Sequence, residues 1–133
     1  MTRLLTIGTF DIPHMGHATF LRRCERLADE VIVGVNTDEF VGAYKGRRPD
    51  FSYDERSALI GGMGYTVLPN DGPGRELIRS VAPNILAIGS DWARLEYYAQ
   101  IKMGPDELDE LDCALIYIPY TQGISTSIIK SRR

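Results

Sequence analysis

The chain has 133 residues, 44% of them hydrophobic and 25% charged, and a net charge of −3. That length suits one domain with a buried core, and the composition is that of an ordinary globular protein. The slightly negative balance argues against a nucleic-acid polymer or an anionic membrane surface as the main partner.

From the N-terminus, Leu4 to Ile7 reads as a buried strand, Gly8 opens a loop, and a helix follows from about Gly16. His17, Leu21, Cys24 and Ala28 recur there at helical spacing, with Arg22, Arg23, Glu25 and Arg26 mostly on the other side. Glu30 to Val35 is a β-branched run, the pattern of a parallel strand buried on both faces. Asn36 or Thr37 caps a short helix through Val41, and Gly42 to Asp50 reads as a polar loop. Ser52 with Glu55 three residues on is a capping-box pattern, opening a helix through about Ile60. Gly61, Gly62 and Gly64 follow a helix and not a strand, so they read as a stop and a turn, not as a phosphate loop.

Tyr65 to Pro69 predicts a third strand, and Pro73 to Val81 a helix with proline at its start. Ile85 to Gly89 predicts a fourth strand, Ala93 to Met103 a helix, and Cys113 to Ile118 a fifth strand. Ser125 begins a terminal helix. The acidic run from Pro105 to Asp112 reads as a solvated helix face. Strand–helix alternation with near-continuous apolar strands predicts a single α/β domain: an open, parallel, five-stranded sheet with helices on both faces. Cys24 and Cys113 lie in apolar patterns and read as buried thiols of a reducing compartment. No signal peptide or membrane span is visible, so a cytoplasmic location is expected.

In open α/β sheets, ligands bind beyond the carboxyl ends of the strands. After the first strand come Gly8, Thr9, Phe10, Asp11, His14 and His17, which include the only two histidines of the chain. A helix start at this point favours phosphate, Pro13 stiffens the approach, and Gly16 lets a backbone come close. The histidines read in three ways: a solvated and a packed side chain, a metal pair near Asp11, or an anion clamp. The metal pair lacks the remaining ligands of a zinc site, and the clamp agrees best with the helix start. Gly123-Ile124-Ser125-Thr126-Ser127 is a second turn into a helix, either a plain N-cap or a further phosphate site. Lys45, Arg47 and Arg48 form a basic cluster, either solvated or on a loop that closes over anions.

Gly8-Thr9-Phe10-Asp11 followed by His14-Met15-Gly16-His17 resembles the signature of the cytidylyltransferase-like nucleotidylyltransferases, especially the small type acting on glycerol 3-phosphate. The likeness continues, in the family's order, through Asn36-Thr37-Asp38-Glu39-Phe40, Tyr53-Asp54-Glu55-Arg56, Gly89-Ser90-Asp91-Trp92 and Thr121 to Ser127. It implies a Rossmann-like sheet and transfer of CMP from CTP to a phosphomonoester, such as glycerol 3-phosphate, giving CDP-glycerol and pyrophosphate. It implies His14, His17 and Lys45 as catalytic residues, with Mg²⁺ as cofactor and no residue assigned as its ligand. Gly8, Thr9, Phe10, Gly16, Asp91, Thr121, Gly123, Ile124, Ser125 and Thr126 fall at the nucleotide, and Lys45 and Arg56 at the acceptor. Arg56 reads equally as an exposed helix arginine, and Asp11 as a loop support or a Mg²⁺ contact. The family commonly forms homodimers.

Two alternatives stand beside this reading. An adenylyltransferase of the same type would use ATP, which the HxGH motif does not distinguish; a non-catalytic nucleotide-binding domain is the other. Neither GxGxxG nor GxxxxGKS/T occurs, which argues against a dehydrogenase or a P-loop NTPase. The family pattern Arg-Thr-Glu-Gly is replaced here by Tyr120-Thr121-Gln122-Gly123, so the choice of base stays open.

Overall fold

The computed structural model describes residues 1–11, 15–90 and 96–119. In chain order these form β1 (Arg3–Gly8), α1 (Met15–Glu25), β2 (Glu30–Asn36), α2 (Asp38–Lys45), α3 (Tyr53–Gly62), β3 (Thr66–Asn70), α4 (Arg75–Val81), β4 (Ile85–Gly89), α5 (Tyr97–Ile101), α6 (Pro105–Glu110) and β5 (Ala114–Ile118). The five strands pair in the order β3-β2-β1-β4-β5, parallel throughout. The predicted open α/β sheet with helices on both faces is therefore what the chain forms. No helix among the described residues is long and apolar enough to cross a membrane.

Alternation along the strands divides the core. Leu5, Ile7, Leu86 and Ile88 pack with Ile78 and Val81 of α4, Tyr97 and Ile101 of α5, and Leu108 of α6. Leu4, Val33, Val35 and Ala87 pack on the other face with Phe20, Leu21 and Cys24 of α1 and Ile60 of α3. Each fully buried leucine contributes about 1.5–3 kcal/mol relative to exposure. Burial, then the charge of Glu25, pushes the Cys24 thiol up to about 12, and burial raises Cys113 as well. Both cysteines are buried free thiols, as expected.

Several boundaries differ from expectation: β3 lies one residue later than predicted, and of the helix predicted from Ala93 to Met103 the described residues form Tyr97–Ile101, capped by Glu96 and Lys102. The second helix continues past Val41 to Lys45, so Lys45 lies on a helical turn and not in the flexible loop predicted. Thr37 caps that helix by accepting from the Phe40 N–H, Asp38 and Glu39 occupy its first turn, and Lys45 its last. Gly46 then closes it in the left-handed conformation at φ 78°. These end signals complement the helix dipole and outweigh Gly42 in the middle.

The α3 capping box is formed as predicted, but the helix runs on through Gly61 and Gly62 before Met63 caps it. Finally, α4 starts at Arg75 and not at Pro73, because Gly74 stands between them at φ 123°. A Cβ at Gly74 would lie 3.2 Å from Ile7 Cδ1 and 3.3 Å from Ile101 Cγ2. That tight turn packs against the core at Ile7 and Ile101. The acidic run does form a helix, and its Glu107 pairs with Arg75 and Arg79 of α4.

Candidate active site

Strand order reverses between β1 and β4, which opens a crevice at their carboxyl ends. A cleft of about 390 Å³ lies there. Its walls come from Ile7, Gly8 and Thr9 of the β1 end, Asn36 and Asn70, Ile88, and Phe40, Tyr44 and Lys45 of α2. Tyr97, Gln100 and Ile101 of α5 form the opposite wall. A second cleft of about 260 Å³ adjoins it, lined by Asp11, Arg47 and Arg48, and shares Thr9 and Lys45 with the first. One cleft is thus basic, the other aromatic and amide-lined, and Thr9 and Lys45 stand where they meet.

The turn after β1 is held by packing. Phe10 adopts φ 54°, a left-handed conformation that costs a non-glycine residue about 1–2 kcal/mol. Its ring lies in the core beneath α1 and meets His17 edge-on, with centroids 5.3 Å apart and planes at 72°. A Cβ on Gly8 would come within 2.9 Å of Phe10 Cε2, so glycine is required there for the ring to seat. Phe10 was expected at the nucleotide. Its ring instead belongs to the core and sets His17, so only its backbone remains to meet a ligand. His17, in the first turn of α1, is 7% exposed. Gly16 precedes it in the same turn.

Asp11 is a loop support. Its carboxylate accepts the Asp50 N–H at 2.9 Å and the Phe51 N–H at 3.0 Å, tying residues 50 and 51 to the β1 turn. Of its two readings, the structure carries the structural one. With Gly46 ending α2 on one side and this tether on the other, only a short span carries Arg47 and Arg48. Arg47 pairs with Asp50 at 3.2 Å.

Arg56 corrects both sequence-based readings. It is fully buried, neither on the surface nor open to an acceptor. Its Nε donates to Phe51 O at 3.0 Å, and Nη1 donates to Thr9 O at 2.7 Å and Asn36 O at 2.8 Å. Nη2 pairs with Asp38 Oδ1 at 2.7 Å. The guanidinium fork therefore joins the ends of β1 and β2 to the starts of α2 and α3, a geometry that lysine cannot supply. Burial pushes the Asp38 carboxyl up, but the Tyr53 N–H and Arg56 outweigh it and hold the group below its ordinary value.

The amide relay in the cleft was missed from the sequence. Asn70 Nδ2 donates to Asn36 Oδ1 at 2.8 Å, and Asn36 Nδ2 donates to Thr9 Oγ1 at 3.1 Å. Both asparagines are buried, and they face each other in register at the ends of β2 and β3. Asparagine at the last position of two neighbouring strands was the available signal. Thr9 is fixed twice, its carbonyl by Arg56 and its hydroxyl by Asn36. Burial pushes the Tyr97 phenol up from its ordinary value. His14, Asp91, Thr121, Gly123, Ile124, Ser125 and Thr126, together with Tyr120, Gln122 and the terminal helix, lie outside the described residues.

Comparison with known proteins agrees with this architecture. The family model described as cytidylyltransferase-like matches residues 5–132. The glycerol-3-phosphate cytidylyltransferase of Staphylococcus aureus is 31% identical over 134 residues, covering 98% of this chain and 93% of that protein. The bifunctional protein HldE of Vibrio cholerae is 45% identical over 94 residues, 67% of this chain but 20% of that protein. A solved structure of a lipopolysaccharide core biosynthesis protein from Thermoplasma volcanium superposes with a TM-score of 0.69 at 26% identity, over 91% of this chain and 97% of that one. A match across nearly the whole chain, on a parallel sheet with its crevice at the β1 turn, makes this chain a member of the cytidylyltransferase-like family.

Proposed function

We propose that this protein is a nucleotidylyltransferase that moves CMP from CTP to a phosphomonoester of a small polyol, releasing pyrophosphate. The observation that carries this reading is the junction of the two clefts at Thr9 and Lys45, next to the turn that leads to His17. Glycerol 3-phosphate, named in the Staphylococcus relative, is the reference acceptor, and CDP-glycerol the corresponding product.

An acceptor phosphate is already an anionic nucleophile near neutral pH, so the reaction needs no catalytic base. What it needs is alignment of the acceptor oxygen with the α-phosphorus and neutralisation of charge on the leaving pyrophosphate. Lys45 draws the acceptor phosphate to the junction. His14 and His17 donate to the phosphates where charge builds up, at the helix start that already favours anions. Arg47 and Arg48 make the adjoining cleft positive. Thr9, fixed by Arg56 and Asn36, forms its rigid edge. Gly8 and Gly16 bring backbone close to the nucleotide, and Asp91 with Thr121, Gly123, Ile124, Ser125 and Thr126 complete that site.

Mg²⁺, when bound, would neutralise phosphate oxygens. Each carboxylate oxygen of Asp11 accepts a backbone N–H, so the group serves the loop, and no residue is assigned as the metal's ligand. No step here passes through the metal. ATP is the second nucleotide to weigh, because Tyr120 and Gln122 replace the family's Arg and Glu. We further propose a homodimer, tested by sedimentation.

The deciding experiment measures pyrophosphate release across four nucleoside triphosphates with several phosphomonoesters. Release that requires both CTP and an acceptor supports the proposal. Nucleotide binding with no release for any pair would instead indicate a non-catalytic nucleotide-binding domain.

A further inference from the structure

We infer that Asn36 and Asn70 are positioning residues whose amide relay fixes the Thr9 hydroxyl as a hydrogen-bond donor toward the clefts. This rests on the nucleotidylyl-transfer reading of the same site and adds how that hydroxyl is prepared for it.

The direction of the relay follows from its far end. Asn70 Nδ2 donates to Gly72 O at 2.8 Å, and a backbone carbonyl can only accept. The same amide group donates to Asn36 Oδ1, also at 2.8 Å. That leaves the Asn36 nitrogen facing Thr9 Oγ1, 3.1 Å away. Turning the Asn36 amide over would bring two NH₂ groups together, and turning both would set the Asn70 oxygen against Gly72 O. Both side chains are buried, so water does not offset either conflict. One polarity alone satisfies every group.

The consequence falls on Thr9. A hydroxyl has one proton and two lone pairs, and ordinarily rotates to suit its surroundings. Here Asn36 occupies a lone pair, so the proton is turned away from the relay. Its remaining partner among the described residues is the exposed Tyr44 hydroxyl, 3.5 Å away and at the limit of a hydrogen bond. Arg56 holds the Thr9 carbonyl at 2.7 Å, which keeps the residue from swinging aside. Thr9 lines both clefts beside Lys45, so the proton is offered where they meet.

A proton fixed in that direction suits a phosphate oxygen, which only accepts. Water would have to reorient as charge develops on the transferring group, whereas this donor is set beforehand. Accepting from a buried amide chain also polarises the hydroxyl, which makes it a stronger donor.

Asn70→Asp tests the polarity by putting acceptor oxygens where the NH₂ group stood. The Asn36 amide then turns its nitrogen toward position 70 and its oxygen toward Thr9, and the hydroxyl spends its proton on the relay. Asn70→Leu removes the anchor without adding charge. Each variant is made alone and together with Thr9→Val. Single-turnover pyrophosphate release is measured with the substrate pair that the wild type uses, CTP and glycerol 3-phosphate being tried first. Release should slow about tenfold or more in Asn70→Asp and about threefold or more in Asn70→Leu, with CTP affinity changing less than about threefold. In the Thr9→Val background both effects should shrink to within about twofold, because the relay has nothing left to orient. Equal losses with and without the Thr9 hydroxyl would mean that position 70 acts through charge, packing or direct contact, and would overturn the inference. Circular dichroism checks folding, and if Asn70→Asp does not fold, the Asn70→Leu cycle decides.

A ligand-free measurement separates this inference from the transfer reading. In NMR spectra of the side-chain amides, Thr9→Val should move the Asn36 NH₂ protons, whose acceptor is lost, and leave the Asn70 pair nearly in place. Unmoved Asn36 signals would overturn the inference and leave nucleotidylyl transfer standing. Should the wild type release no pyrophosphate with any pair, the transfer reading fails, and the NMR comparison alone decides the polarity of the relay.

Discussion

Replacing Arg56 with alanine removes a side chain that ties four segments together. Its guanidinium is fully buried and donates to Phe51 O, Thr9 O and Asn36 O, besides pairing with Asp38. Hydrogen bonds to a charged group are worth about 1.5–3 kcal/mol each, so four independent ones would give roughly 6–12 kcal/mol. They share one group, and water can enter the space left, so the cost of breaking a buried ion pair, about 3–5 kcal/mol, is the better guide. That is a large part of the roughly 5–15 kcal/mol that holds a domain together. Arg56→Lys keeps the charge but cannot reproduce the fork, and should lose about 1.5–3 kcal/mol, one charged hydrogen bond's worth. Urea unfolding followed by circular dichroism measures both. A loss under about 1 kcal/mol in Arg56→Ala, accompanied by a raised acceptor KM, would refute the structural role and return Arg56 to the substrate.

Three further outcomes follow from the same region. Gly8→Ala forces a methyl against the Phe10 ring and should cost about 1–3 kcal/mol by unfolding, with turnover falling as the ring and His17 shift. Asp11→Ala releases the Asp50 and Phe51 N–H groups, so limited proteolysis should cut near residues 46–51 faster than in the wild type, with the rest of the chain intact. Asp38 titrates lower in the folded chain than its ordinary 3.8, so its contribution is present above that value and is lost as pH falls through the folded value. Acid titration should therefore show Asp38→Asn less stable than wild type at neutral pH, with the difference shrinking below about pH 4.

Much of this was written in local pattern. The apolar runs from Leu4, Glu30 and Ile85 mark their strands, because parallel strands buried on both faces need little else. Ser52 and Glu55 announce α3 through a hydrogen-bond exchange that involves only neighbours. The features that eluded sequence reading all depend on distant partners. Arg56 looks like a surface residue of its helix until Thr9, Asn36 and Asp38 surround it. Asn70 acquires meaning only once β3 pairs with β2 and puts it opposite Asn36. Lys45 was read into a loop because Gly42 and Gly46 flank it, although one sits inside the helix and the other is its C-cap. Phe10 carries a motif position and a core position at once, and its positive φ follows from packing against Gly8 and His17.

Under the proposed function, the carboxyl end of the sheet stabilises a transferring nucleotidyl group, with the paired histidines acting at the transition state. Single-turnover kinetics of His14→Ala and His17→Ala, with CTP affinity measured alongside by calorimetry, tests it most directly. Removing one preorganised donor should lower the rate of pyrophosphate formation by about 100-fold or more while nucleotide affinity changes far less. Near wild-type rates in both variants, or a fall in affinity that accounts for the whole loss, would contradict it.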